Sequence, residues 1–224
     1  IFLHCSGYLN NDTNFANYFG KMYQPRYLSG LAAGAMTDSN KIGYVAAFPI
    51  PEVIRGINAF AAGVNEVNPD ATVEVVWTFT WFGPEAETQA ANALLEKGAD
   101  VLAQHQDSTA TGLAAEAAGA KWISYNTAYG QDSAPEAFVT APVWDWGPYY
   151  VDVVESIIDG TFTTESYWGG METGLVSLYD LSSDVPSETA TLIAEKTEAI
   201  IDGTLEVAIV EEEFISNVIG TVNP

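Results

Sequence analysis

The chain has 224 residues, 48% of them hydrophobic, and seven basic against thirty acidic residues give it a formal charge of −23. A chain of this length and apolar content buries a large core, which excludes disordered and fibrous proteins. The acidic excess repels nucleic acid and anionic lipid, so we expect no nucleic-acid partner. Such a charge suits work in salty water outside the cytoplasm, where dissolved ions screen the repulsion between like charges.

Two strands are predicted near the start of the chain, at 1–5 and 15–19, and a helix follows over 24–36. This helix contains small residues, among them Gly30 and Gly34, which favour close packing against a neighbouring element. A repeated alternation of strand and helix then begins. The predicted strands are 42–48, 72–79, 100–104, 122–125 and 138–143, and the predicted helices lie around 53–64, over 85–97, from 108 or 109 to 119, and from 148 to 160.

This alternation predicts a doubly wound α/β fold with parallel strands. In such folds ligands bind beyond the carboxyl ends of the strands. The rule directs attention to four short segments, namely 48–52, 80–83, 104–108 and 126–130.

Indole rings are the most informative side chains near these strand ends. Trp81, Trp144 and Trp146 offer flat faces for stacking a heteroaromatic ring, although they could instead fill the core or a contact between lobes. Short polar groups accompany them, and these could bind the edge of such a ligand. They are Asp107, Ser108, Asn126 and Asp145. The alternative is helix capping for Asp107 and Ser108 and a turn for Asn126.

The sequence gives little support for an enzyme. The motifs G-x-S-x-G, G-x-x-x-x-G-K-[ST], G-x-G-x-x-G and H-E-x-x-H do not occur, and with Cys5 as the single cysteine no zinc ligands have usable spacing. His105 follows a strand and could act as a base with Asp107, but no nucleophile is identifiable beside it. A merely hydrogen-bonded histidine is the favoured interpretation, and we expect neither a cofactor nor a metal ion.

Five segments resemble one known family, the basic membrane protein family of ABC-transporter substrate-binding lipoproteins, which includes purine nucleoside receptors. The segments are 18–24, 41–56, 80–84, 140–147 and 167–171. The resemblance implies a type I periplasmic-binding fold with two doubly wound, Rossmann-like lobes. It implies that a signal, a lipidated cysteine and most of the N-terminal lobe precede this chain, so that Cys5 is not the lipid anchor. Residues 1–36 and 144–165 are assigned to the N-terminal lobe, and 37–143 and 166–224 to the C-terminal lobe.

Carried over to this sequence, the resemblance gives Trp81 the position whose ring stacks on the base. Asn126 matches an acidic residue that binds ribose, and Trp144 falls where the nucleoside receptors have a ribose-binding lysine. Both differences remove sugar contacts and favour a free base such as adenine, with Asp107 and Asn126 binding its polar edge. Ser6 matches a base-contacting carboxylate approximately. Phe48, at the end of its strand, completes the predicted ligand-binding set.

The predicted function is capture of a purine base or nucleoside by an extracytoplasmic receptor, periplasmic or anchored to the membrane, which delivers it to ABC permease subunits. A sugar or another small metabolite is the alternative ligand within the same fold. A hydrolase and the sensor domain of a signalling protein are the remaining alternatives, and fold analogy alone does not separate them.

Overall fold

The computed structural model describes residues 1–222. The strands are β1 (Phe2–Cys5), β2 (Phe15–Gly20), β3 (Lys41–Ala46), β4 (Thr72–Trp77), β5 (Val101–His105), β6 (Lys121–Ile123), β7 (Phe138–Thr140), β8 (Pro142–Trp144), β9 (Tyr167–Gly169), β10 (Val176–Leu178) and β11 (Val218–Val222). The helices are α1 (Tyr23–Met36), α2 (Pro51–Val67), α3 (Pro84–Glu96), α4 (Ala110–Ala118), α5 (Gly130–Ser133), α6 (Gly147–Ile158) and α7 (Ser187–Ile201). A short 3-10 turn covers Met171–Thr173.

The larger sheet has six parallel strands in the order β11-β4-β3-β5-β6-β7. Side chains alternate between its two faces. Ile42 and Tyr44 belong to one core with α1, α2 and α7, whereas Val45 and Leu102 belong to a second core with α3 and α4. Helices on both faces of a parallel sheet confirm the predicted doubly wound α/β fold.

A smaller parallel sheet, with the order β1-β2-β9, contains both predicted N-terminal strands. The predicted strand 138–143 is wrong as a single element. Its first half is β7 in the larger sheet, and its second half is β8, which pairs with β10 in an antiparallel ribbon. Pro142 has no N–H to donate to a sheet, and the carbonyl of the preceding Ala141 accepts a hydrogen bond from the N–H of Tyr179 instead.

The sheets divide the chain differently from the predicted lobes at two places. Helix α1, placed with residues 1–36 in one lobe, packs against α2 and shares the core of the larger sheet. Strand β9, placed with residues 166–224 in the other lobe, pairs with β2 in the smaller sheet. A division that follows the sheets therefore puts α1 in the larger lobe and β9 in the smaller one.

Close packing of α1 against α2 depends on two facing glycines. A Cβ atom built on Gly30 would lie 2.0 Å from the carbonyl oxygen of Phe60, and one built on Gly63 would lie 2.1 Å from the carbonyl oxygen of Tyr27. No real Cβ tolerates such distances, so the helix backbones touch at this crossing. The close packing predicted from the small residues of α1 is confirmed.

The sequence pattern predicts no element after residue 160, where the structure has β9, β10, α7 and β11. These strands are short or lie at a sheet edge, which explains their weak sequence pattern. Among residues 1–222, no helix combines the length and the apolar character needed to span a bilayer.

Candidate functional site: a cleft between the two sheets

A cleft of about 790 Å³ lies between the loops at the carboxyl ends of the larger sheet and the end of the smaller one. This is the location that the rule for doubly wound sheets predicts, and the volume suits a small-molecule ligand. The lining residues are Cys5, Ser6, Gly7, Tyr8, Phe19, Ile50, Pro51, Glu52, Arg55, Trp81, His105, Asp107, Tyr125, Asn126, Trp144, Trp146 and Glu211.

Five of the six predicted ligand-binding residues line this cleft together. They are Ser6, Trp81, Asp107, Asn126 and Trp144. Phe48 is not among the lining residues, and its ring packs against that of Trp81, with 5.3 Å between the ring centroids. Phe48 lies two residues after β3, and its ring supports the loop that carries Trp81, while its contact with the ligand stays a prediction.

Trp81 is fixed in place from several sides. Its carbonyl oxygen accepts a hydrogen bond of 2.9 Å from the N–H of Asp107, and its ring lies 6.0 Å from that of His105. The residue is nevertheless 39% exposed, because one side of the indole faces the cleft. A rigid and accessible indole is well suited to stack on a flat ligand.

Trp144 has two roles. Its ring stacks on Trp146 with centroids 4.4 Å apart and planes inclined by 16°, and it also contacts Phe19, 5.1 Å away. It therefore packs at the crossing between the sheets while it lines the cleft. The two interpretations of this indole, packing between lobes and ligand contact, are compatible.

Two of the predicted polar groups serve local structure. The Ser108 hydroxyl donates to Glu87 Oε2 at 2.5 Å and accepts from the N–H of Ala110, the first residue of α4, although the N-cap residue of that helix is Thr109. Asp145 Oδ1 accepts from the N–H of Gly147 at 3.1 Å, at the start of α6. Neither residue is among those that line the cleft.

Ser6 and Asn126 share an unusual backbone conformation. Their φ angles are 56° and 57°, in the left-handed region that residues other than glycine seldom adopt. Ser6 follows β1 and Asn126 follows β6, so each turns the chain sharply where a strand ends at the cleft. Backbone conformations of this kind cluster at ligand sites, where the surrounding structure holds them.

Sequence reasoning singled out His105 but missed its polar partners at the cleft, Glu52 and Arg26. His105 Nε2 lies 3.2 Å from Glu52 Oε2, with the histidine side chain 2% and the glutamate 26% exposed. Arg26, on α1, is buried and reaches the same region. Two positions in the sequence could have indicated this contact. Glu52 lies in the first turn of α2, and His105 lies at the end of β5.

The charges of this group follow from its surroundings. Burial opposes ionisation of Glu52, but His105, Arg26 and Arg55 together lower the pKa of its carboxyl to about 2. Burial lowers the pKa of His105 more than the Glu52 carboxylate raises it, and Arg26 adds to the lowering, which favours a neutral imidazole that donates its Nε2–H to the Glu52 carboxylate. Burial also raises the pKa of Asp107 above its ordinary value.

This arrangement disfavours His105 as a catalytic base. Its Nε2 is engaged by Glu52, and its Nδ1 is buried without a hydrogen-bond partner in the described part of the chain. A Cβ added to Gly56 would lie 3.8 Å from that Nδ1, so this nitrogen faces helix α2 rather than a substrate. The favoured interpretation, a hydrogen-bonded structural histidine, agrees with the geometry.

Glu52→Gln should lower the free energy of unfolding by about 1 to 2 kcal/mol at pH 7, since it removes an ionised partner of His105 and Arg26. Folding depresses the pKa of this carboxyl from 4.5 to about 2, so its stabilisation is complete well above pH 4.5 and disappears as pH falls toward 2. The stability difference from the wild type, measured by urea unfolding between pH 7 and pH 3, should therefore shrink at the acid end.

Glu85→Gln is the matched control, because Glu85 also lies in the first turn of a helix but is exposed. This substitution should cost less than about 0.5 kcal/mol. A difference between the wild type and Glu52→Gln that is constant over this pH range would contradict the assignment of Glu52 as an ionised, structurally engaged group.

Comparison with known proteins identifies the family. The family model described as "ABC transporter substrate-binding protein PnrA-like" matches residues 1–210. The chain is 44% identical over 207 residues to a putative ABC transporter glucose-binding protein of Haloferax volcanii, and 40% identical over 205 residues to a purine-binding protein of Brucella abortus. These matches cover 92% and 89% of this chain but 52% and 56% of the relatives, so the chain spans about half of their length.

A solved structure supports the fold. The solute-binding protein of an ABC transporter system from Conexibacter woesei superimposes with a TM-score of 0.75 at 23% identity, over 93% of this chain and 71% of that one. At this identity the similarity concerns the fold alone, which is the type I periplasmic-binding fold expected from the sequence. With both the family model and the fold in agreement, the chain belongs to the PnrA-like family of ABC transporter substrate-binding proteins.

Proposed function

We propose that this protein captures a purine base, with adenine as the first candidate, or its nucleoside, in the cleft between its lobes. The observation that carries the proposal is Trp81, a supported and accessible indole at the mouth of the parallel sheet. Asp107 and Asn126, on the loops after β5 and β6, line the same cleft and can bind the polar edge of a stacked ring. The name of the Brucella abortus relative, a purine-binding protein, points the same way.

The preference for a base over a nucleoside rests on two residues. Asn126 and Trp144 line the cleft where the family resemblance places an acidic residue and a lysine that bind ribose. Without these groups the sugar of a nucleoside gains few hydrogen bonds, which would leave its hydroxyls partly desolvated and unpaired.

Delivery to the permease subunits of an ABC importer completes the proposal. Members of this family are binding proteins rather than enzymes, and ABC substrate-binding proteins work outside the cytoplasm. The strongly acidic composition fits such a location. Closure of the lobes on the ligand would be the state that the permease recognises, and anchoring by a lipid is part of the same proposal.

A sugar is the second candidate ligand. One relative is named a putative glucose-binding protein, and the stacked pair Trp144 and Trp146 offers a second aromatic face that suits a pyranose ring. The two candidates make different demands on the cleft, because a sugar presents hydroxyl groups all round its rim whereas a purine presents polar atoms at its edges.

A thermal-shift screen of the full-length protein against purine bases, nucleosides and glucose separates these candidates. A ligand that binds the folded state alone raises the melting temperature, by an amount that grows with its concentration above Kd. We expect a shift with adenine that exceeds the shift with adenosine. A response to glucose and to no purine would overturn the purine assignment, and a larger response to adenosine would overturn the argument from Asn126 and Trp144.

A further inference from the structure

Arg26 is a buried cation directly beneath the cleft. It is 3% exposed, and its guanidinium donates to Tyr44 Oη at 3.0 Å and lies over the ring of Tyr125, 5.1 Å from the centroid. Among the side chains that the structure describes, no carboxylate oxygen lies within 4.0 Å of it. Because arginine stays charged, a buried guanidinium without a direct carboxylate partner needs other oxygen atoms to accept its hydrogen bonds.

One of those oxygen atoms belongs to a residue of the cleft. Arg26 Nη2 lies 3.4 Å from Asn126 Oδ1, and Nη1 lies 3.5 Å from the carbonyl oxygen of Gln104. A guanidinium has five N–H donors and no acceptor, so the oxygen of the Asn126 amide must face it and the NH₂ group must face away. The left-handed backbone of Asn126 and its bridge to Val143 hold the residue at this place.

We propose that Arg26 is a positioning residue that sets the polarity of Asn126, so that the cleft presents a hydrogen-bond donor, Asn126 Nδ2, to an acceptor atom of the ligand. This inference rests on the proposed function and extends it to one atom of the purine. Free asparagine can offer either its oxygen or its nitrogen to a ligand, whereas an asparagine held by Arg26 offers the nitrogen. The Asp107 carboxylate, on the neighbouring loop, can bind an amino group beside that acceptor.

The proposal makes a requirement of the ligand. Its ring must carry a hydrogen-bond acceptor, and in adenine the candidates are the ring nitrogens N1, N3 and N7. Of these, N1 and N7 lie beside the exocyclic amino group. Replacing the one that meets Asn126 by C–H should leave the amide N–H unpaired in a half-buried site. A hydrogen bond lost in this way should weaken binding roughly tenfold.

The first experiment tests the contact between Arg26 and residue 126 without any ligand. In Asn126→Asp, the introduced carboxyl should titrate well below the ordinary aspartate value of about 3.9, as followed by carbon NMR, because Arg26 faces it. In the double variant with Arg26→Gln this pKa should return to the ordinary range or above it. An introduced carboxyl that titrates identically with and without Arg26 would overturn the proposal.

The second experiment tests the consequence for binding, by calorimetry with adenine and its 1-, 3- and 7-deaza analogues. For the wild type, one analogue should bind at least roughly tenfold more weakly than adenine. In Arg26→Gln, adenine binding should weaken and the penalty for that same analogue should fall to about threefold or less, because the amide can then turn. An equal penalty in both proteins, or no penalty for any analogue in the wild type, would overturn the proposal.

Controls separate this inference from the proposed function and from misfolding. Arg26→Met removes every donor that faces Asn126 while keeping a long unbranched side chain, so it should reproduce the loss of discrimination if Arg26→Gln unfolds, and circular dichroism checks both folds. If the wild type binds no purine, the proposed function is wrong. The ligand-free titration then still decides whether Arg26 orients residue 126.

Discussion

Replacing Trp81 with alanine is expected to weaken adenine binding by about 1 to 3 kcal/mol, the usual contribution of an aromatic side chain stacked on a base. The loss should be large because Phe48 packs beside the indole and the backbone hydrogen bond from Asp107 holds the loop that carries it, so little conformational freedom is lost on binding. Isothermal titration calorimetry on the full-length protein measures the change. Trp81→Phe should retain most of the affinity, since it keeps a flat ring.

Phe82→Ala is the matched control for this prediction. Phe82 is the next residue in the same loop, is 64% exposed and does not line the cleft. Its removal should leave the affinity within about 0.5 kcal/mol of the wild type. Equal losses for the two variants would show a general disturbance of the loop, and no loss for Trp81→Ala would place the ligand elsewhere.

Gly30→Ala is expected to destabilise the fold by about 3 kcal/mol, as inserted atoms do where packed elements cannot yield. The added Cβ would lie 2.0 Å from the carbonyl oxygen of Phe60, which is backbone, so helices α1 and α2 would have to move apart. By itself alanine favours a helix over glycine by about 1 kcal/mol. A lower free energy of unfolding in urea therefore shows that the steric cost of the added Cβ exceeds the gain in helix propensity.

Gly147→Ala is the matched substitution at the start of α6. The nearest atom to its added Cβ would be Asp145 Oδ1 at 3.2 Å, on a side chain that can move. This variant should be neutral or up to about 1 kcal/mol more stable than the wild type. If Gly30→Ala behaves in the same way, the helices α1 and α2 are not in backbone contact at that position.

Stability at this crossing matters for the cleft as well. Helix α1 carries Arg26, and α2 carries Glu52 and Arg55, so the packing of the two helices positions the charged groups under and beside the site. Arg55 forms an ion pair with Glu211 and lies over the rings of Tyr23 and Trp168, at 5.6 and 5.4 Å. A shift of α2 would therefore disturb several walls of the cleft together.

The features of the fold that depend on short stretches of sequence were predictable. The alternation of strands and helices from 42 to 160, the end of α4 near residue 119 and the close packing at Gly30 all follow from local spacing or residue size. The break between β7 and β8 was not predicted, because a continuous apolar run does not reveal that its halves pair in different sheets.

The cleft was likewise predictable in part. Trp81, Asp107 and Asn126 follow strands, and the carboxyl ends of parallel strands meet at one edge, which brings their loops together without further information. The resemblance to a known family supplied Ser6 and a ligand-binding position for Trp144, which also stands beside a predicted strand end. Phe48 lies beside Trp81 but is not among the residues that line the cleft.

By itself the sequence determined the fold class and the edge of the sheet where the cleft lies, and it placed Trp81 at that edge, whereas the exposed face of the indole is seen only in the structure. The tertiary structure alone decided which polar groups lie next to one another at the cleft. Arg26 meets Asn126 across 100 positions of sequence, and Glu52 meets His105 from a different element. Such pairs follow from how helices α1 and α2 pack on the sheet, and no local pattern of residues records a contact that depends on the placement of whole elements.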